Sequence, residues 1–457
     1  MARDVSDPTP VTSRDELVAW SEAGAKPLAQ FRMGTEHEKF PFYRADLRPV
    51  PYDGRPGQGG IRALLDGMQV ELGWQPIVEA GHIIGLYDSV GGAISLEPGG
   101  QFELSGAPLS NVHETKAETL RHFAALEKVA APLDIGFLGL GMSPKWTRAE
   151  TPMMPKQRYA IMARYMPQVG TRGLDMMFRT CTVQTNFDYA SEADMVKKLR
   201  VSLALQPLIT ALFANSPFTD ARLNGFLSMR SEIWRHTDAA RTGMLAFAFE
   251  PGMGFERYVD YALDVPMYFV KRGDHYHDVA GASFRDLLAG RLAALPGERA
   301  TLSDWANHLS TIFPEVRLKR YLEMRGADAG LQPFLHALPA LCFGLFYDKA
   351  SLDGAWDIVK GWDAAAREHL RAEAPRLGLG AKIAGRSLRD VAQDVLALAR
   401  QGLARRARRD AEGRDETIFL EPLEAVAAGK SQAEDLIHRF KTRWNGSVDP
   451  AFSECAF

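Results

Sequence analysis

Carboxylates and residues suited to partner them recur at alternate positions in three separated segments of this chain. The first is Gly34-Thr35-Glu36-His37-Glu38-Lys39 and the second is Gln101-Phe102-Glu103-Leu104-Ser105. The third is Arg317-Leu318-Lys319-Arg320-Tyr321-Leu322-Glu323-Met324-Arg325. Side chains two apart on a strand share a face. Glu36 thus lies beside Glu38, Gln101 beside Glu103, and Glu323 between Tyr321 and Arg325. A sheet face that gathers carboxylates loses stability through repulsion and desolvation unless cations fill it. Mg²⁺ with a polyphosphate suits such a surface, because Mg²⁺ takes a few carboxylates and leaves its other positions to phosphate oxygens and water. Arg317 and Lys319 extend the third segment's polar face, and guanidinium forks match phosphate oxygens.

Each of these features also has a plainer reading. Glu36 and Glu38 could be solvent-facing charges on an edge strand, and Arg317 and Lys319 a solvated edge. Against that stand the apolar flanks Phe31 and Phe40-Pro41-Phe42, the second strand that repeats the pattern, and the coupling of Glu323 to Arg325. Thr182, Gln184 and Asn186 share one face of the alternating stretch 180–188, where neutral donors and acceptors could orient a small polar ligand. A Thr-rich exposed sheet face is the alternative. Trp234 and Arg235, with Arg241 beyond, could hold a substrate carboxylate, or Trp234 could pack under a surface arginine.

The elements that must position these residues follow from capping, periodicity and turns. Ser13 to Glu16 has the form of a capping box opening a short helix. The first carboxylate strand spans about 31–43, and a helix follows at about 60–72. Two strands flank Pro98-Gly99-Gly100 as a hairpin. Residues 111–131 have helical spacing and lead to an apolar strand at 133–140; residues 191–214 are helical again. The third segment reads as one strand over 316–325, and the remainder, from about 333 to 441, as mostly helix. Strands and helices keep no βαβ rhythm, which favours an α+β fold with a largely antiparallel sheet. With no repeat or linker, residues 1–457 read as a single catalytic domain, mostly helical from about 330.

A net charge of −3 gives no global reason to expect nucleic acid or an anionic membrane as partner. No apolar run reaches the roughly 18 residues of a membrane span. The polar, acidic start at Met1–Pro8 lacks a signal-peptide core. Cys181, Cys342 and Cys455 are widely spaced without CxxC, which fits a reducing compartment. These features make a cytoplasmic location the expectation. Several motifs fail on inspection. His37-Glu38 lacks the second histidine of a zinc-protease helix, Gly429-Lys430-Ser431 lacks the first P-loop glycine, and Gly139-Leu140-Gly141 runs into Pro144. The basic run at 405–409 is followed at once by Asp410, Glu412, Asp415 and Glu416, which favours a solvated helix face over a nucleic-acid module.

Taken together, the stretches 31–39, 94–105, 177–186 and 313–328 resemble glutamate–cysteine ligase of the plant and proteobacterial type, and 214–218 and 260–267 add to the match. The resemblance covers about residues 15–450. It implies a curved antiparallel sheet, a glutamine synthetase-like funnel surrounded by helices, around ATP and Mg²⁺. It implies that Glu36, Glu38, Glu103 and Glu323 hold the metal, with Arg325 completing the catalytic set. Arg317, Lys319 and Arg325 would face the phosphates. Thr182, Gln184, Asn186, Trp234, Arg235 and Arg241 would serve the glutamate and cysteine side. It further implies ATP-dependent γ-glutamylcysteine synthesis, the first step to glutathione, and suggests a homodimer. The alternative within the superfamily is a ligase that uses a different amine. The plant enzymes' regulatory cysteines correspond here to Val279, Ala294 and His336, so the resemblance predicts no such thiol switch.

Overall fold

The centre of the molecule is an eleven-residue strand, β1 (Met33–Tyr43), buried along its whole length. The computed structural model describes residues 7–457, so most of the acidic start at Met1–Pro8 lies outside the described residues. Eight further strands join β1 in one sheet: β2 (Gln75–Glu79), β3 (His82–Tyr87), β4 (Ala93–Leu96), β5 (Phe102–Ser105), β6 (Ile135–Leu138), β7 (Thr182–Phe187), β8 (Val316–Leu318) and β9 (Leu322–Asp328). Their order is β8-β9-β7-β1-β5-β4-β3-β2, with β6 on the far half of β1, and every pair is antiparallel. The expected α+β class is therefore the observed one.

Five of the helices around this sheet are α1 (Val112–Ala130), α2 (Glu192–Leu212), α3 (Met229–Arg235), α4 (Gln332–Phe346) and α5 (Leu388–Arg406). Apolar side chains at alternate positions of the strands, among them Met33, Val183, Phe187 and Met324, face α2 and α4 in one continuous core. Phe187 of β7 stacks on Phe346 of α4 at 4.5 Å. Burying such a ring contributes roughly 1.5–3 kcal/mol. The second half of α2 is buried on all sides, which is why it shows no polar stripe. Among the described residues no helix is long and apolar enough to cross a membrane. In α5, Arg405 pairs with Asp348 and Arg406 with Glu416, so two arginines of the basic run are tied into the fold.

Two local expectations need correction. Ser13 does cap its helix by accepting from Glu16 N. The Glu16 carboxylate, however, returns to Thr12 N and Oγ1, so the reciprocal arm of the box starts one residue early. The stretch 316–325 is not one strand. It folds back at 319–321 into the β8–β9 hairpin, where Lys319 N donates to Tyr321 O at 2.9 Å. No glycine or proline marks this turn, so the alternating charges read as a single strand.

Buried histidines predict how the fold responds to acid. His308 donates Nε2–H to Ala262 O at 2.8 Å and stacks on Phe284, and burial lowers its pKa to about 4. An unfolded histidine protonates near pH ~6.5. The unfolded state thus binds more protons between these values, and stability is lost as pH falls from about 6.5 to 4. His308→Gln, which keeps a donor, should remove roughly 3 kcal/mol of that loss. Tm measured across this window for both proteins checks it; an unchanged slope would refute the assignment.

Candidate active site

Cross-strand register, more than sequence spacing, assembles the polar face of the sheet. Glu38 on β1 lies opposite Glu103 on β5, which lies opposite Ser95 on β4. Glu36 lies opposite Ser105 on one side and Gln184 of β7 on the other. Asn186 of β7 lies opposite Glu323 of β9, and Glu323 opposite Arg317 of β8. Paired residues of an antiparallel sheet share a face. The carboxylates from the three segments therefore form one band on the side of the sheet away from α2 and α4.

The band has two electrostatic halves. In the first, Glu103 accepts from Ser95 Oγ at 3.1 Å and from Ser105 Oγ, and Glu38 accepts from Thr182 N at 3.0 Å. Burial, reinforced by the nearby charges of Glu97 and Glu103, pushes the Glu38 carboxyl well above the usual carboxylate range. In the second half, Glu323 is fully buried among three cations. Arg317 lies 2.7 Å away, Lys319 3.2 Å and Arg325 2.5 Å. Burial alone would raise the Glu323 carboxyl, but these cations outweigh it and hold it well below the carboxylate range. Burial and the neighbouring Arg317 lower Lys319 to about 8. Asn186, opposite Glu323 in the register, donates Nδ2–H to Glu36 at 2.6 Å.

A cleft with room for about 80 Å³ of water opens over the Glu38 end of this face, and Glu36, Glu103, Glu323 and Asn186 do not line it. Of the residues expected from sequence, Glu38, Thr182, Gln184, Trp234 and Arg325 line it. Arg325 sits at the register shift in β9, where its Nη1 donates to Gln184 Oε1 at 3.0 Å. Arg317 and Lys319 lie behind the cleft and support Glu323. Sequence reasoning missed Glu97, Arg158, Tyr159 and Arg230, which also line it. Arg230 is the most telling, because its Nε and Nη1 are buried without a protein partner. It stands four residues before Trp234 on α3, and that helical spacing was the signal that could have found it. Glu97 stands two residues after Ser95, where β4 enters the glycine turn.

Two of the expected residues lie elsewhere. Arg235 pairs with Glu232 at 2.8 Å and does not line the cleft. Arg241 is fully buried. It donates to Asp238 at 2.6 Å, to Thr311 O and Pro266 O, and stacks over Tyr268. Such an internal pair acts on stability. Arg241→Leu leaves Asp238 buried without its cation and should cost about 3–5 kcal/mol in urea unfolding. A raised KM for an amino-acid substrate with unchanged stability would instead return Arg241 to the site.

The half with Glu38, Glu97 and Glu103 has the chemistry of a hard divalent cation site, with carboxylates whose like charge a cation would relieve, whereas Glu323 already has its counter-charges in Arg317, Lys319 and Arg325. Among the described residues, though, no three His, Cys, Asp or Glu side chains already converge into a metal-holding group. The band thus fits Mg²⁺ by ligand type and charge rather than as a finished cage.

Comparison with known proteins bears on this geometry. The family model for glutamate-cysteine ligase family 2 matches residues 32–454. The chain is 52% identical over 446 residues to a chloroplastic glutamate–cysteine ligase of Nicotiana tabacum, covering 97% of this chain and 83% of the relative. It is 51% identical over 446 residues to chloroplastic glutamate–cysteine ligase B of Oryza sativa subsp. japonica, covering 97% and 87%. Among solved structures, a glutamate–cysteine ligase of Francisella tularensis in complex with AMP shares the fold, with TM-score 0.55, 11% identity, and 98% and 90% of the two chains covered. The cytoplasmic expectation is overturned here, because both plant relatives are chloroplastic enzymes. Three scattered cysteines point to a reducing compartment but do not separate one such compartment from another. With the match running through every segment that builds the carboxylate band, the chain belongs to glutamate-cysteine ligase family 2.

Proposed function

We propose that this chain, acting as a single catalytic domain, joins the γ-carboxyl of L-glutamate to the amine of L-cysteine with hydrolysis of ATP to ADP. The product is γ-glutamylcysteine, which commits glutamate to glutathione synthesis. The observation that carries this reading is the continuous face of Glu36, Glu38, Glu103 and Glu323, flanked by Arg325, with a cleft over its Glu38 end that Arg230 and Arg325 also line.

A carboxylate does not condense with an amine in water without activation. The glutamate γ-carboxylate attacks the γ-phosphorus of ATP, and the β–γ bridging oxygen leaves with ADP. The cysteine amine then adds to the acyl phosphate carbonyl, loses a proton and expels inorganic phosphate. Glu36, Glu38, Glu103 and Glu323, joined by Glu97, would hold Mg²⁺. When bound, Mg²⁺ neutralises charge on the transferred phosphoryl group. Arg325 presents its guanidinium to the same oxygens, while Arg317 and Lys319 fix the carboxylate of Glu323 from behind. The two unpartnered nitrogens of Arg230 suit a substrate carboxylate, beside Trp234, Thr182 and Gln184. Much of the acceleration comes from holding carboxylate and phosphate in line within this cleft.

Initial rates of ADP formation test the proposal. Release should require glutamate, cysteine, ATP and Mg²⁺ together, with γ-glutamylcysteine appearing in equal amount. Equal or faster release with another amine in place of cysteine would select the alternative ligase.

A further inference from the structure

Two sequence motifs have no part in this mechanism: Ala214-Asn215-Ser216-Pro217-Phe218, and Asp328 at the end of β9. They meet at the start of α3. Asp328 is buried, and its Oδ2 accepts from Ser216 Oγ at 2.6 Å and from Asn215 N at 2.9 Å. Its Oδ1 accepts from Ser228 Oγ at 2.8 Å. Each serine oxygen in turn accepts from a backbone amide in the first turn of α3. Arg230 N donates to Ser216 Oγ and Ser231 N to Ser228 Oγ, both at 3.2 Å. One carboxylate thus caps the helix through two hydroxyls. Asn215 locks the loop from the other side, with its Nδ2 donating to Gly139 O at 3.1 Å and Ala329 O at 2.8 Å. The fit around Asp328 is close, since a Cβ on Gly141 would come within 2.4 Å of Asp328 Cγ.

Helix α3 has only seven residues, too few for its own hydrogen bonds to set its direction firmly. It nevertheless carries Arg230 and Trp234, one turn apart, into the cleft. We infer that Asp328, acting through Ser216 and Ser228, is the positioning residue that aims Arg230 and Trp234 at the substrate. The inference rests on the reading of the cleft as the substrate site. It ties α3 to β9, the strand that also carries Glu323 and Arg325, so both walls of the cleft keep a fixed spacing. Arg230 Nη2, donating to Arg325 O at 2.9 Å, adds a second tie between the same two elements.

The test uses the full-length protein, with separate KM values for glutamate and ATP, kcat and Tm. Ser228→Ala removes one hydroxyl and little volume. It should raise the KM for glutamate about three- to tenfold and leave the KM for ATP within twofold. Asp328→Asn should do the same more strongly, and Ser228→Ala keeps the test open should that variant fail to fold. Arg230→Lys is measured alongside. If it raises the glutamate KM while Ser228→Ala leaves it unchanged, the positioning role is refuted and the cleft reading stands. A parallel change in both KM values with a lowered Tm also refutes it, as a general loss of structure. If Arg230→Lys changes neither KM, the cleft reading falls and the positioning role falls with it.

Discussion

Replacing Glu323 by glutamine should lower ADP formation by about 10²–10³-fold, the scale expected when a charged group acting on the transferred phosphoryl is lost. The structure adds a second consequence. Glu323 is fully buried and is the shared partner of Arg317, Lys319 and Arg325. Glutamine leaves three neighbouring cations without a counter-charge, and breaking a buried pair of this kind costs about 3–5 kcal/mol. The loss is concentrated in one half of the band, so the variant should melt earlier yet still cooperatively. Rates measured well below its Tm separate the two effects. Near-normal turnover there would remove Glu323 from the chemistry, whatever happens to stability.

Glu38→Gln should move activity and stability in opposite directions. With one carboxylate fewer beside Glu103 and Glu97, the Mg²⁺ concentration for half-maximal ADP formation should rise by about 100-fold or more, given that even outer-shell partners are worth 10–100-fold. The same loss should appear without turnover, as a smaller upward shift of Tm on adding Mg²⁺. In the absence of divalent ions the substitution should stabilise. Burial and like charge hold the Glu38 carboxyl well above its usual range. An unfolded glutamate loses its proton near pH ~4.3. The folded state therefore binds more protons above that pH, and stability declines as pH rises from about 4.3 through the folded pKa. Glutamine carries no proton to lose, so Glu38→Gln should lack this decline. Thermal melts at pH 5 and pH 8 in EDTA check it; an equal decline in both proteins would place the repulsion elsewhere.

Strand periodicity was enough to put Glu36 beside Glu38 on one face, because a two-residue repeat is a local property of extended chain. It was also enough for the hairpin around Pro98-Gly99-Gly100, where turn chemistry is written in the residue types. Neither signal reached the turn at 319–321. There the chain reverses without glycine or proline, and Arg317 faces Glu323 across two strands rather than along one. The arginines show the same limit. Arg230 precedes Trp234 and Arg241 follows it, yet one lines the cleft and the other is sealed against Asp238 and Tyr268. Nothing in the residue types distinguishes them, because the partners each one meets come from distant segments that only the fold brings near.

By itself, then, the sequence determined the antiparallel α+β class, the carboxylate strands and the family motifs, since alternation, capping and turn preferences act over a few residues. Tertiary structure decided which charges meet. Only register could set Glu38 against Glu103, collect Arg317, Lys319 and Arg325 around Glu323, and bring Asp328 under the first turn of α3. Electrostatic and hydrogen-bond energies depend on distances between segments up to hundreds of residues apart, and those distances exist only once the sheet has closed.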